Sequence, residues 1–258
     1  MSLHLGSALK RGATRLVSRT GVVILAAYTA VMLLYQLSVN TLLHALLVGL
    51  VPVGADAPVP DLVTLPLPNV VAGGLVVLTL LAAAVVSVVA IRTFVADERD
   101  HVPRQFLTER MAFAVANVVV GGIAFALVVL LGTVLLVVPG IVAYVGLLFM
   151  VQFVAVEDDN CLTAMRRSWR LTAGNRVRVF LLVVVLFAVV FAATFAVSFG
   201  LGTVLAPGSG GVAGLVVTVV NVVATLYLLA VVSDAFVQLR ERDGPPSGTR
   251  PTTDALGA

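Results

Sequence analysis

Six long apolar runs, separated by polar connections, set out the chain. They cover residues 22–50, 70–95, 111–138, 141–156, 179–205 and 212–237. A hydrocarbon core of about 30 Å needs about 20 apolar residues in a helix. Five runs exceed that length, and the fourth, closed off by Pro139 and Glu157, sits at the lower limit. Valine dominates the runs and favours strands in water. In lipid, however, each backbone group must find its partner within the spanning structure, and a continuous stretch such as residues 76–91 lacks the strict alternation of a barrel strand. The pattern therefore predicts an all-α, polytopic membrane protein: six transmembrane helices in three hairpins, with a short cytoplasmic interfacial helix. Pro139-Gly140 predicts a tight turn between the third and fourth helices. Residues 1–20 form a basic N-terminal segment, 21–240 the six-helix domain, and 241–258 a disordered cytoplasmic tail rich in Pro and Gly.

Charge gives the orientation. All 16 basic residues fall in four segments: Lys10, Arg11, Arg15 and Arg19; Arg92, Arg99, Arg104 and Arg110; Arg166, Arg167, Arg170, Arg176 and Arg178; and Arg240, Arg242 and Arg250. The alternate connections, 51–69, 139–140 and 206–211, carry none, and the first of them holds Asp56 and Asp61. By the positive-inside rule, a multi-pass protein of the cell membrane with both termini in the cytoplasm is expected. Arg92 and Asp234, near the ends of the second and sixth runs, are expected to reach out to the interface. Ala55-Asp56-Ala57 has the small residues of a leader cleavage site. A leader's apolar core is about 7–15 residues, shorter than the first run, which is expected to be retained.

Composition agrees. The chain is 60% hydrophobic and 11% charged, with a mean hydropathy of +1.12, which excludes an ordinary soluble domain. The pI of about 9.5 reflects basic blocks beside apolar runs, not a nucleic-acid surface. With Cys161 as the one cysteine, no intrachain disulfide can form.

Polar residues inside the runs are the first place to look for chemistry. Gln36, Asn40 and His44 fall at i, i+4 and i+8, one stripe of the first helix, while Thr218, Asn221 and Thr225 make a second stripe in the sixth. Asn117 and Gln152 lie in the third and fourth runs. These groups either line a path for a small substrate or proton, with His44 titrating, or hydrogen-bond between helices. No Asp, Glu or Lys sits in mid-membrane, which argues against an ion-coupled pump. No hydrolase, zinc-protease or P-loop motif occurs and no metal-ligand spacing exists, so no catalytic activity, cofactor or metal is expected. Asp97, Glu98 and Asp100, interleaved with Arg99 and Arg104, read as a self-paired loop.

Short patterns suggest packing. Leu131-Gly132-Thr133-Val134-Leu135 before Pro139-Gly140 is echoed by Leu201-Gly202-Thr203-Val204-Leu205 before Pro207-Gly208. That echo is either a repeat of related hairpins or chance in a restricted alphabet. Gly122 with Ala126, and Gly210 with Gly214, have the four-residue spacing that lets helices approach closely.

The connection at 157–178 is the most informative segment. Glu157, Asp158 and Asp159 end the fourth helix and put negative charge at the start of the next. Asp159 or Asn160 can cap that helix and Gly174 can stop it. Leu162, Met165 and Trp169 share one face, with Arg166, Arg167 and Arg170 mainly on the other. Such a helix suits the membrane interface. Arg166, Arg167, Trp169 and Arg170 are candidates for binding anionic headgroups, or the helix simply anchors the topology.

The proline-glycine pair, the apolar helix, the acidic triplet and Ala164-Met165-Arg166-Arg167-Ser168-Trp169-Arg170-Leu171-Thr172 with Gly174 together resemble a prokaryotic family of six-helix membrane proteins. That family includes the membrane domain attached to some glycerophosphoryl diester phosphodiesterases. Met165 stands where the family has leucine; the Ser-Trp, Leu-Thr and Gly positions match. The resemblance implies an integral membrane module and brings no catalytic barrel with it. The expected function is a non-enzymatic integral membrane protein in membrane organisation or lipid handling, with membrane lipids as partners and no nucleic acid. No protein partner is indicated, and a homo-oligomer is compatible with the pattern. The alternative is a small-molecule transporter or permease using the polar stripe.

Overall fold

The structure, a computed structural model, describes residues 5–50, 62–204 and 210–243. Asp56, Asp61, the Ala55-Asp56-Ala57 sequence, Pro207-Gly208 and the tail from 244 lie outside the described residues. Among the described residues every regular element is a helix. In chain order these are α1 (Leu5–Leu16), α2 (Arg19–Leu50), α3 (Asn69–Ala96), α4 (Arg104–Thr108), α5 (Met111–Leu135), α6 (Val137–Leu147), α7 (Met150–Glu157), α8 (Cys161–Thr172), α9 (Arg176–Val204) and α10 (Gly210–Asp243). Six spans are long and apolar enough to cross a membrane, with α6 and α7 together making the fourth. This is the architecture of a multi-pass membrane protein.

The six spans pair as three hairpins, α2 with α3, α5 with α6, and α9 with α10. Helix α10 joins them because two of its faces serve two cores. Val222, Leu226 and Ala230 pack against Ile24 and Tyr28 of α2 and Ala83, Ala90 and Phe94 of α3. Val231, Ala235, Phe236 and Leu239 pack against Met150, Phe153, Leu182 and Leu186, with the ring of Phe236 edge-on to Phe153 at 5.0 Å. Outward faces are apolar: Ile123, Leu127 and Leu131 on α5 and Phe187, Phe191 and Phe195 on α9 are exposed. In water these would be aggregation patches; against acyl chains they match their solvent.

Three boundaries differ from those expected. The turn between the third and fourth spans is not Pro139-Gly140 but Leu136, a single extended residue (φ −163°, ψ 136°). Pro139 falls in the first turn of α6, where a backbone N–H has no intrahelical partner and proline is tolerated. The fourth span is broken at Leu148-Phe149 into α6 and α7. Helix α10 runs on to Asp243, so residues 241–243, expected in the disordered tail, are helical.

The small-residue pairs at Gly122 and Gly214 are not close helix contacts. No atom outside the helix lies within 4 Å of a side chain added at Gly122 or Gly214. Close approach occurs at Gly121, where an added side chain would meet Met150 and Cys161, and at Gly132, where a Cβ would stand 3.0 Å from the Gly140 Cα. The first copy of the Leu-Gly-Thr-Val-Leu echo is thus a packing device at the α5–α6 turn.

Candidate functional site

The four basic segments converge at one end of the bundle, because their charges pair across it. Arg92, expected to reach outward, is instead buried in α3. Its guanidinium donates to the carbonyls of Ala155 (2.6 Å), Glu109 (2.9 Å) and Phe106 (3.2 Å) and to Asp158 Oδ1 (3.0 Å). Asp234, also expected at the interface, is 2% exposed. It pairs with Arg11 (3.0 Å) and Arg15 (3.3 Å) of α1 and accepts from Gln238. Neither side chain extends to water because a partner from a distant helix reaches it within the protein.

Helix α1 is what makes this possible. Ala8 and Gly12 are buried on α10, and a side chain at Gly12 would collide with Val231. Tyr227 Oη donates to the Leu9 carbonyl. Arg15 also donates to Asp97 Oδ1 at 2.8 Å, and Arg99 holds the same carboxylate. The loop at 97–100 is thus tied to α1 as well as to itself. Burial pushes the Asp97 carboxyl up, but the hydrogen bonds and charges of Arg15 and Arg99 outweigh it and hold the group below its ordinary 3.8. Sequence signals existed for this contact: Arg11 and Arg15 one turn apart, the small residues Ala8 and Gly12 beside them, and one carboxylate within the sixth run.

Helices α3 and α7 end alike, on an aspartate in the left-handed region: Asp97 (φ 55°) and Asp158 (φ 51°). Aspartate tolerates this conformation better than most residues. Each carboxylate is fixed by an arginine from another helix. Glu157 pairs with Arg167 and with Arg240 of α10, and Asp159 pairs with Arg167. The acidic triplet therefore does more than end the fourth span: it ties it to α3, α8 and α10.

Helix α8 starts and stops as its sequence suggests. Asn160 accepts from the Thr163 N–H as the cap, and Gly174 takes φ +82° beyond the last turn. The face that α8 buries within the protein is a separate one. Leu162 and Trp169 are exposed, while Ala164, Ser168, Leu171 and Thr172 are buried. Those residues mend the α6–α7 break: Ser168 Oγ donates to the Gly146 carbonyl (2.8 Å) and accepts from the Phe149 N–H (3.1 Å). A side chain at Gly146 would run into the Trp169 indole. The Ser-Trp and Leu-Thr positions of the motif thus dock this helix, and the Gly position stops it.

The four headgroup candidates separate. Arg167 belongs to the fold: it is bound by Glu157 and Asp159 and lies 4.6 Å over the Phe153 ring. Burial alone would lower its pKa, but these carboxylates raise it. Arg166 and Arg170 are exposed and have no partner among the described residues. Trp169 is 40% exposed and stacks under Arg176, 4.4 Å away. The Arg176 Nε is buried with no hydrogen-bond partner.

The five intramembrane candidates are scattered. Gln36 donates to Asn40 (2.8 Å), and Asn40 donates to the Val63 carbonyl (3.1 Å). Thr41 accepts from the Leu65 N–H, so Asn40 and Thr41 pin the chain entering α3. His44 is exposed on the outside of α2 and takes no part in this. Asn117 accepts from the Cys161 N–H and so anchors the start of α8. Asn221 accepts from Thr194 of α9. Gln36 and Asn221 do meet across a cavity of about 200 Å³, shared with Tyr28, Tyr35, Thr218 and Thr225.

A larger apolar groove opens between α6–α7 and α9–α10. One cavity of about 230 Å³ is walled by Tyr144, Gln152, Val183, Phe187, Thr225 and Val232, among others. A second, of about 370 Å³, shares Tyr144, Val183 and Phe187 and continues past Val129, Gly140 and Phe180.

Compared with known proteins, residues 3–239 match the family described as Domain of unknown function (DUF7847), and the chain belongs to it. No curated protein and no solved structure matches.

Proposed function

We propose that this member of the DUF7847 family is a non-catalytic membrane protein that holds anionic phospholipid at its arginine-rich end. That end would face the cytoplasm, with both termini on the same side. The observation carrying this reading is the unequal treatment of the arginines. Arg11, Arg15, Arg92, Arg99, Arg167 and Arg240 each have a carboxylate partner. Arg166 and Arg170 have none among the described residues, as is true of the exposed Arg19, Arg104 and Arg178; what sets these two apart is that they stand exposed one turn apart on α8 beside Trp169. Two unpaired guanidinium forks beside an indole suit phosphate oxygens at the depth of the headgroups, where each arginine contributes about 1 kcal/mol on an anionic surface.

Trp169 is the chain's single tryptophan, so its fluorescence reports on this site alone. In bilayer discs, brominated phosphatidylglycerol should quench it more than brominated phosphatidylcholine at equal mole fraction. The excess should disappear at high salt and in an Arg166→Ala/Arg170→Ala double variant. Equal quenching by the two lipids would overturn the reading.

A transport reading draws support from the cavity joining Gln36 and Asn221. It is weakened by the placement of its titrating group, His44, on the outer surface. Absence of any solute uptake by the protein in proteoliposomes would remove it, and uptake unchanged in Gln36→Leu would take the route away from this cavity.

A further inference from the structure

We propose that the Gln152 cavity binds a neutral lipid alcohol: an uncharged hydroxyl on a long hydrocarbon chain, with the O–H donating to the Gln152 amide. Gln152 is 2% exposed, and its Oε1 is buried with no hydrogen-bond partner. Gln152 is among the residues lining the 230 Å³ cavity, whose other polar residues are Tyr144 and Thr225.

The lining selects the ligand class. A bare alkyl chain would leave the amide unpaired. A carboxylate or phosphate would need a cation, and no cationic side chain lines this cavity. A sugar would need more polar partners than one amide and two hydroxyls. One hydroxyl on an apolar body fits. Gln152 lies five residues before Glu157, about 8 Å along the helix at 1.5 Å per residue, so the hydroxyl would sit just beneath the charged layer. The chain would follow the contiguous 370 Å³ cavity past Tyr144 and Phe187. Fatty or isoprenoid alcohols and diacylglycerol share this chemistry. The site uses neither Arg166 nor Arg170, so it stands or falls apart from the headgroup reading.

The test uses the full chain in bilayer discs with hexadecanol carrying a mid-chain diazirine, and the corresponding methyl ether as control. After irradiation, adducts should map to peptides containing residues 144–152 and 183–187. The alcohol should label roughly tenfold more than the ether, one hydrogen bond's worth. Gln152→Leu should bring the alcohol down to the ether's level. Its thermal unfolding without added lipid should be unchanged or raised, because it removes a buried amide that nothing in the protein bonds. Val183→Phe fills the cavity without touching the amide and should also abolish labelling. Competition by unlabelled hexadecanol or by dioleoylglycerol identifies the source, and displacement by either supports the site. Equal labelling by alcohol and ether would overturn the proposal, since the groove then holds ordinary acyl chains and the amide bonds water. A preference surviving in the Gln152→Leu or Val183→Phe protein would overturn it as well.

Discussion

Arg92 uses the full breadth of its guanidinium, with Nε on Ala155, Nη1 shared by Phe106 and Glu109, and Nη2 on Asp158. A lysine ammonium has no such planar fork. Arg92→Ala should destabilise the protein by about 3–5 kcal/mol, the usual loss when a buried ionic partner is removed, and Arg92→Lys should recover less than half. Chemical or thermal unfolding in detergent measures both; full recovery by lysine would show that charge alone matters. Ser168→Ala leaves the Phe149 N–H buried and unpaired and the Gly146 carbonyl with only the long bond from Thr172 Oγ1 (3.5 Å), and should cost about 1–3 kcal/mol in the same assay. Arg92 and Asp234 were legible as polar groups near span ends, but not as groups buried on partners within the protein. Hydropathy along a chain reports depth in the membrane. It does not report that residues 63 positions away, in the case of Ala155, stand alongside.

At the scale of the element, α1 and α8 show what a hydrophobic pattern misses. The cap and stop of α8 were legible because Asn160 and Gly174 act locally. Its buried face was not, since Ala164, Ser168 and Thr172 are small or polar and dock by fit and hydrogen bonds. The same holds for α1, which presents Ala8, Gly12 and Arg15 to its neighbours. Arg15 is buried between Asp234 and Asp97, whereas the Arg11 side chain is 47% exposed. Arg15→Ala should therefore release α1 to protease cleavage within residues 5–18, and Arg11→Ala should do so much less. Acid should act through Asp97. Its folded pKa lies below the ordinary 3.8, so the contribution of Arg15 and Arg99 is fully present above that value and is lost as the pH falls through the folded one. Protease resistance of α1 should be flat from neutrality to about pH 5 and fall below about pH 4. Asp97→Asn should remove the part of that acid dependence that Asp97 carries. A midpoint near neutrality would point to a different group.

Across the whole molecule, the segregation of arginine and the ionic convergence of four segments tell one story. The count of six spans was legible because apolar length is a one-dimensional property. The break between α6 and α7 was not, because it exists only where Ser168 supplies the bonds that the helix gives up. Sidedness follows from charge. The arginine-rich end is expected in the cytoplasm, and two exposed positions at opposite ends can report it: Arg170 on α8, and Leu136, 68% exposed, at the α5–α6 turn. In a Cys161→Ala background, which removes the native thiol, Leu136→Cys should react with a membrane-impermeant maleimide applied to intact cells. Arg170→Cys should react only after permeabilisation. The reverse pattern would put Arg166 and Arg170 on the outer leaflet and withdraw the cytoplasmic half of the headgroup reading. Labelling of both from outside would break the six-span threading itself, because an even number of crossings separates neither terminus from the other, but the single α6–α7 span must separate these two sites.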